Sequence, residues 1–196
     1  MLPPGVLTVL GFVLGWGMVL NITFAVLTAY VAWFFRNPYR QIPEDPDAIV
    51  SPADGKVVGI HQLEDGRQLI TIFLNVFNVH INRSPIKGTV EEVTYTEGLF
   101  VAAYAENASE INERNKVVIR DGDFVVEVTQ IAGLIARRII CWVAEATSLA
   151  RGERFGLIRF GSRMDIVLPA ECEIVVRVGQ KTVGGSQVIA KKKGVA

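Results

Sequence analysis

The first 35 residues contain no Asp, Glu, Lys or Arg, and the first charged side chains are Arg36 and Arg40. A secretory signal peptide would begin with a basic segment and end at a small-residue cleavage site, and both features are missing. The uncharged segment is longer than the roughly 20 residues that cross about 30 Å of hydrocarbon. We therefore expect residues 1–35 to associate with a membrane.

This apolar segment has two stretches of helical character, at residues 6–20 and 22–35, separated by Asn21. Each stretch alone is rather short to span a bilayer, which favours a re-entrant or monotopic helical hairpin. A single tilted helix, or a buried hairpin of a soluble protein, is the alternative. Trp33 and Tyr39 near the first arginines are typical of interfacial anchors, and the arginines predict that the following domain faces the cytoplasm.

Cysteine and histidine are both scarce, with two of each. Cys141 and Cys172 lie in apolar, strand-like segments without CxxC or Cys/His ligand spacing, so we expect reduced core residues and no metal site. Lys plus Arg equals Asp plus Glu at 20 each, so no overall charge favours nucleic acid as a partner. Any recognition of an anionic ligand must therefore be local.

Prolines at positions 38, 43, 46 and 52 exclude a helix and predict a linker over residues 36–50. Beyond it the sequence is mainly β (α+β), which predicts a β-sandwich or barrel-like hybrid catalytic domain over residues 51–196 with a few short helices. Helices are expected at 102–113 and 146–152. Strands are expected at 56–60, 68–74, 88–94, 116–120, 124–131, 138–143, 163–168 and 173–178.

Three side chains are candidates for chemistry: Asp54 in SPADG, His80 in FNVHINRSP and Ser162 in RFGSRMD. Gly161 and Ser162 interrupt a predicted strand, where glycine often marks a bulge or a close approach to the backbone. Ser, His and Asp together suggest a nucleophile, a base and an orienting group, although the G-x-S-x-G elbow of α/β-hydrolases is absent. Asp54 in an Asp-Gly turn and His80 as a structural histidine remain open alternatives, and His61 is interpreted as a solvated loop residue.

Five motifs together resemble the short form of phosphatidylserine decarboxylase, including its archaetidylserine counterpart. SPADGKVV, FNVHINRSP, EINERN, QIAGLIARRI and RFGLIRFGSRMD occur in the same order and at similar spacings, over residues 34 to 190. The resemblance implies a zymogen that cuts its own chain between Gly161 and Ser162 and converts Ser162 into a pyruvoyl group. The expected products are a β fragment, residues 1–161, and an α fragment, residues 162–196.

The resemblance also implies roles for the candidate residues. Asp54 and His80 would supply acid-base function that activates Ser162, and the pyruvoyl carbonyl would act as the electron sink for decarboxylation of a serine phospholipid. Arg83 stands where long-form enzymes carry the second histidine of a Y-H-x-V-H motif. We expect Arg83 and Asn82 to bind the substrate, at its phosphate or carboxylate. The expected location is the cell membrane, and the sequence leaves a homodimer as an option.

Two other functions remain open on the sequence. One is a membrane-tethered, non-catalytic β-sandwich binding module in which Ser162 merely occupies a bulge, and the other is a pyruvoyl-dependent decarboxylase of soluble amino acids. Gly185 and Ser186 in VGGSQV form a rival cleavage site. A cut there would leave a fragment of only 11 residues, residues 186–196, which is too short to hold a prosthetic group firmly.

Overall fold

A computed structural model of the chain describes residues 3–100, 111–134, 138–159 and 161–193. The chain divides into two compact units, Met1–Asn37 and Pro38–Ala196. The first unit is helical and the second is built from antiparallel strands. The prediction of a mainly β fold preceded by apolar helices is therefore confirmed.

The first unit contains helices α1 (Pro4–Val13) and α2 (Met18–Phe34). Pro4 occupies the first turn of α1, where its missing N–H has no intrahelical partner to lose. The predicted break at Asn21 is wrong, because Asn21 lies inside α2. Its Nδ2 donates to the carbonyl of Trp16 at 2.9 Å, which ties the start of α2 to the turn that precedes it.

Apolar side chains cover the outside of this unit. Thr8 Oγ1 and Thr28 Oγ1 lie 3.0 Å apart and link the two helices. Within the described residues, neither helix is long and apolar enough to cross a membrane. Soluble monomers rarely expose an apolar patch of this extent. The side chains that are more than half exposed are Val9, Phe12, Val13, Leu14, Met18, Val19, Leu20, Ile22 and Val26.

The described part of the second unit contains fourteen strands. The three-residue strand β1 lies between Pro46 and Pro52, inside the predicted linker. The proline-rich composition of this segment gave no sign of a strand. The strands are β1 (Ala48–Val50), β2 (Gly55–Gln62), β3 (Gln68–Leu74), β4 (Ile81–Arg83), β5 (Gly88–Thr96), β6 (Arg114–Asp121), β7 (Phe124–Ile131), β8 (Ile139–Cys141), β9 (Ser148–Leu149), β10 (Arg154–Ile158), β11 (Ser162–Leu168), β12 (Glu173–Ile174), β13 (Lys181–Thr182) and β14 (Val188–Lys191).

These strands form one eight-stranded sheet, in the order β13-β2-β3-β11-β7-β6-β5-β9, and two three-stranded sheets, β4-β10-β8 and β1-β14-β12. In the eight-stranded sheet, β11 pairs with β3 on one side and β7 on the other. Side chains alternate along β11, so Ser162, Met164 and Ile166 face the core and are fully buried. On the opposite face, Arg163 donates to Asp165 at 2.8 Å.

Three connections run from the eight-stranded sheet to the sheet β4-β10-β8. One leads from β3 to β4, one from β7 to β8 and one from β10 to β11. The strands β3, β11 and β7 are neighbours in the larger sheet, as β4, β10 and β8 are in the smaller one. We call this region the sheet junction and define it by the described residues 75–80, 132–134, 159, 161 and 162. It carries His80 immediately before β4 and Ser162 at the first position of β11.

Two helical predictions have different outcomes. The helix expected at residues 146–152 is wrong, because Ala146 N–H and Thr147 O bond to the backbone of Val90 at 2.8 Å and draw the segment to the sheet edge. Ala146 also has a left-handed φ of 65°, which no helix tolerates. Most of the helix expected at residues 102–113 lies outside the described residues.

Candidate active site

Ser162 is fully buried, and its Oγ has no hydrogen-bond partner among the described residues. The predicted interruption of a strand is in fact a change of sheet, since Gly161 connects β10 in one sheet to β11 in another. Gly161 has a φ of 66°, and a Cβ at this position would meet no atom of the described residues within 4 Å, its chain neighbours aside. Glycine is therefore favoured here by backbone conformation rather than by a lack of space.

His80 is held at the other side of the sheet junction. The side chains of Asn75 and Asn78 accept backbone N–H bonds within the turn after β3, and this turn delivers His80 to β4. The imidazole is fully buried, and its Nδ1 lies 2.9 Å from the carbonyl of Asn78. A carbonyl only accepts, so Nδ1 carries the proton and donates. In the neutral ring, Nε2 then holds the lone pair that a general base needs.

Backbone pairing brings His80 and Ser162 to the same place. Ser162 is paired with Leu74, the last residue of β3, from which the chain turns directly to His80. The carbonyl of His80 in turn accepts the N–H of Ile158 at 3.2 Å, at the end of β10, four residues before Ser162. The two predicted site residues thus share the sheet junction.

Asp54 does not hydrogen-bond to either of these residues within the described structure. Its two carboxylate oxygens accept from Arg40 Nη2 at 2.8 and 2.9 Å, and Oδ1 also accepts the N–H of Gly184 at 2.8 Å. The preceding loop bonds to the far end of β4, where the N–H of Arg83 donates to Pro52. Asp54 therefore lies towards the Arg83 end of β4, whereas His80 precedes its other end.

Arg83 lies in a positively charged region. Its Nη1 donates to the carbonyl of Gly152 at 2.9 Å. Burial lowers the pKa of the Arg83 guanidinium, and the charges of Arg40 and Arg154 lower it further, while Asp54 acts in the opposite direction. Three cations around one carboxylate leave an excess of positive charge that suits an anionic group.

The rival serine lies in this same region. Ser186 and Arg40 line an open cleft of about 680 Å³, together with Tyr39 and residues 41–44. Ser186 is partly exposed, whereas Ser162 is fully buried. The two Gly-Ser pairs of the sequence thus lie in different environments.

Comparison with known proteins extends these observations. A family model described as phosphatidylserine decarboxylase matches residues 27–190, a range that includes all the predicted site residues. The chain belongs to the phosphatidylserine decarboxylase family. The family consists of carboxy-lyases, and the resemblance inferred from the five motifs is confirmed.

Curated relatives of this family cover most of the chain. A phosphatidylserine decarboxylase proenzyme of Syntrophus aciditrophicus is 48% identical over 178 residues, which are 87% of this chain and 82% of the relative. Proenzymes of the same name from Magnetococcus marinus and Carboxydothermus hydrogenoformans are 44% and 45% identical. The alignment with the Magnetococcus protein covers 92% of this chain and 86% of the relative. The alignment with the Carboxydothermus protein covers 97% of this chain and 92% of the relative.

The structure also reveals a buried chain of amides that sequence analysis missed. Asn115 Nδ2 donates to Gln130 Oε1 at 2.9 Å, and Gln130 Nε2 donates to Asn82 Oδ1 at 2.8 Å. Asn82 and Gln130 are fully buried and Asn115 is 2% exposed. Asn82 Nδ2 has no partner among the described residues. The signal in the sequence was the polar side chain of Gln130 in an otherwise strand-like apolar run, VTQIAG.

Both cysteines are free. Cys172 is 4% exposed, and burial raises its pKa to about 11. A thiol with this environment is mostly protonated at neutral pH and is a poor nucleophile. Within the described residues, no group of His, Cys, Asp and Glu side chains is arranged to hold a metal ion.

Proposed function

We propose that this member of the family decarboxylates a serine phospholipid after cutting its own chain between Gly161 and Ser162. The observation that carries the proposal is the buried Oγ of Ser162, which has no hydrogen-bond partner in the described part of the chain. It lies directly after a left-handed glycine and at the same sheet junction as His80. The name proenzyme, which the relatives bear, is consistent with such processing.

In the proposed processing step, Ser162 Oγ adds to the carbonyl carbon of Gly161. The Oγ proton passes to Nε2 of His80, and the carbonyl electron pair moves onto the oxygen. When this centre collapses, the C–N bond breaks, the nitrogen takes a proton and an ester remains. Loss of the Ser162 α-proton then expels the carboxylate of Gly161, and hydrolysis of the resulting dehydroalanine releases ammonia and leaves the pyruvoyl group.

The surroundings of residue 162 fit that group. A pyruvoyl group supplies an electrophilic carbonyl that takes up the amine of the substrate and accepts the electrons left when CO₂ departs. The fit rests on the full burial of this position in the uncut chain and on its polar atom, which has no partner among the residues that the structure describes. His80 would return a proton to the substrate, while Arg83 and Asn82 would bind its phosphate or carboxylate.

The proposed role of Asp54 follows from its contacts. Its negative charge offsets that of Arg40 and favours the charged form of Arg83. Asp54 would thus hold these two guanidinium groups in place. The acid-base role that the family resemblance implies for Asp54 stays part of the proposal. It would require Asp54 to act without the direct hydrogen bond to His80 that a triad would have.

The two fragments would stay together after cleavage. The new N-terminus would be the first residue of β11, and β11 is hydrogen-bonded to β3 and β7 of the other fragment along most of its length. Its core-facing side chains Met164, Ile166 and Leu168 are fully buried. The α fragment, residues 162–196, therefore remains an integral part of the central sheet.

We also propose that Met1–Asn37 attaches the enzyme to the membrane that holds its lipid substrate, with the β unit on the cytoplasmic side. The exposed apolar side chains of α1 and α2 support this attachment. Arg36 stacks over the ring of Trp33, with its guanidinium carbon 3.7 Å from the ring centre, at the end of α2. Such a pair is typical of the membrane-water interface.

Mass spectrometry of the purified full-length chain tests the proposal. We expect two fragments, residues 1–161 and 162–196, the second with a carbonyl-reactive, blocked N-terminus. CO₂ release is then compared for vesicles of ester-linked phosphatidylserine, vesicles of its ether-linked isoprenoid analogue and free serine, and we expect release from lipid only. One uncut chain without carbonyl reactivity or CO₂ release would instead indicate a binding module, and release from free serine a soluble-substrate enzyme.

A further inference from the structure

We infer that Gln130 and Asn115 position the amide of Asn82, so that its NH₂ group donates to the oxyanion formed when Ser162 attacks the Gly161 carbonyl. This inference rests on the proposed self-processing and adds to the substrate-binding role proposed for Asn82. It assigns positioning roles to two residues of the central sheet, Gln130 on β7 and Asn115 on β6.

The direction of the amide chain is fixed by chemistry. Gln130 Nε2 also lies 3.3 Å from the backbone carbonyl of Ile140, which only accepts, so this atom must be the NH₂ group. Gln130 Oε1 consequently faces the donor Nδ2 of Asn115. The atom of Asn82 that faces Gln130 must then be its oxygen, and the NH₂ group of Asn82 is left to point elsewhere.

Strand register places Gln130, the hydrogen-bond partner of Asn82, near Ser162. Gln130 is paired with Met164, and Ser162 lies two residues earlier on the same face of β11. Ser162 and Gln130 are therefore diagonal neighbours, about 7 Å apart. Asn82 contacts Gln130 directly, and it lies two residues after His80 in the chain.

Packing at Gly156 shows that the amide chain is built into the fold. A Cβ at Gly156, the partner of Asn82 across β4 and β10, would meet Gln130 Nε2 at 2.6 Å. It would also meet the carbonyl oxygen of Ile140 at 2.5 Å, so a side chain here would displace the amide of Gln130 or the backbone of β8. The buried NH₂ of Asn82 has no partner among the described residues, and this is unfavourable in a resting chain. A donor of this kind is worth most when negative charge develops beside it in a water-free site.

The inferred role applies to one step of processing. As the bond from Ser162 Oγ to the Gly161 carbon forms, the carbonyl electron pair becomes an oxyanion, to which Asn82 N–H donates. The interaction weakens again when the C–N bond breaks and the carbonyl re-forms. The donor thus lowers the barrier without being consumed.

The near-isosteric variant Gln130→Glu tests the inference. An ionised carboxylate at position 130 can only accept hydrogen bonds, from Asn115 and from Asn82. Asn82 must therefore turn its NH₂ group towards position 130 and its oxygen towards Ser162. We expect processing to slow about 100-fold at about pH 8, as on loss of one oxyanion donor. The protonated carboxyl can again donate to Asn82, so the rate relative to the unaltered chain should recover as the pH falls towards about 5, because burial raises a carboxyl pKa.

Two further variants provide the controls. Gln130→Met removes the three hydrogen bonds of this side chain, to Asn115, Asn82 and Ile140, without reversing Asn82. It should slow processing at all pH values without recovery in acid. Asn82→Leu deletes the donor, while Gln130 keeps its bond to Ile140, so the chain should fold and process about 100-fold more slowly. Rates are measured by mass spectrometry on full-length precursor from a short pulse of cell-free synthesis with vesicles, and folding is checked by thermal melting in a Ser162→Ala background.

The outcomes separate this inference from the proposed function. Absence of cleavage in the unaltered chain would reject self-processing, and the inference with it. A second outcome is normal cleavage of the unaltered chain, with cleavage rates that fall equally in Gln130→Glu and Gln130→Met and do not recover in acid. This outcome would show that the amides only support the core. Cleavage of Asn82→Leu at the unaltered rate would overturn the inference even if Gln130→Glu failed to fold.

Discussion

Arg40 and Asp54 form a largely buried ion pair in which one guanidinium nitrogen, Nη2, contacts both carboxylate oxygens, at 2.8 and 2.9 Å. The two side chains are 11% and 15% exposed. The N–H of Gly184 completes the surroundings of the carboxylate. This arrangement ties the segment that follows α2 to the loop before β2 and the glycine pair before β14. It gives Asp54 a structural partner that the sequence pattern alone did not indicate.

Replacing Arg40 by Met should destabilise the chain by about 3 kcal/mol, because it leaves a buried carboxylate without the cation that hydrogen-bonds to both of its oxygens. The free energy of unfolding is measured with urea in a Ser162→Ala background, which keeps one polypeptide. Adding Asp54→Asn should recover part of the loss, since the amide oxygen still accepts from Gly184.

The exposed pair of Arg120 and Glu91 provides the control for this measurement. Its side chains are 44% and 46% exposed, so Arg120→Met should cost no more than about 1 kcal/mol. Equal costs for the two arginine variants would contradict the importance we assign to burial of the Arg40 pair.

Ser162→Ala should abolish cleavage and lipid decarboxylation, because no hydroxyl remains to attack Gly161. Gel mobility and intact mass are sufficient to detect the uncut chain. Ser186→Ala is the matched control, since it alters the other Gly-Ser pair, and it should be processed normally. A cut chain in the first variant, or an uncut chain in the second, would move the cleavage site to Ser186.

Gly161→Ala should slow processing much more than its effect on stability suggests. A left-handed φ of 66° costs an alanine about 1 kcal/mol, and no atom of another described part of the chain lies within 4 Å of the new methyl group. Gly122, in the exposed turn between β6 and β7, has a φ of 63° and is equally unobstructed, so Gly122→Ala carries the same conformational cost away from the site. Melting temperatures and cleavage rates of the two variants are compared, and equal cleavage rates would remove the special role of Gly161.

Long strands were predictable from composition, and short ones were not. The bounds expected for β3 and β7 agree with the structure, because each is a run of seven or eight residues rich in β-branched and apolar side chains. In contrast, β4 and β1 have only three residues and owe their extended form to partners far away in the sequence. Local pattern carries no signal for such pairing.

The candidate site was predictable only where a motif contained it. Ser162 and His80 each lie within a motif, and strand pairing then brings them together. The contacts of Gln130 with Asn82 and of Arg40 with Asp54 join residues 48 and 14 positions apart. Contacts of this kind depend on sheet register, which a single sequence does not specify.

Cys172 should make stability fall with pH in alkaline solution. Burial raises its pKa from 9.0 to about 11, so between these values the unfolded chain loses a proton that the folded chain retains. The free energy of unfolding therefore decreases as the pH rises from 9.0 to about 11. Urea titrations of Ser162→Ala with and without Cys172→Ala isolate this effect, and identical slopes against pH would contradict it.

His80→Asn should preserve the fold and abolish most of the chemistry. The asparagine NH₂ can replace Nδ1–H as the donor to the carbonyl of Asn78, so the turn before β4 keeps its hydrogen bond. The nitrogen that would accept the Ser162 proton is lost, and the rate of cleavage should fall about 100-fold to 10,000-fold. His61→Asn, which changes the exposed histidine of β2, should leave cleavage and CO₂ release unchanged. Normal cleavage by His80→Asn, with its melting temperature intact, would mean that another group removes the proton, and the buried imidazole would then be structural.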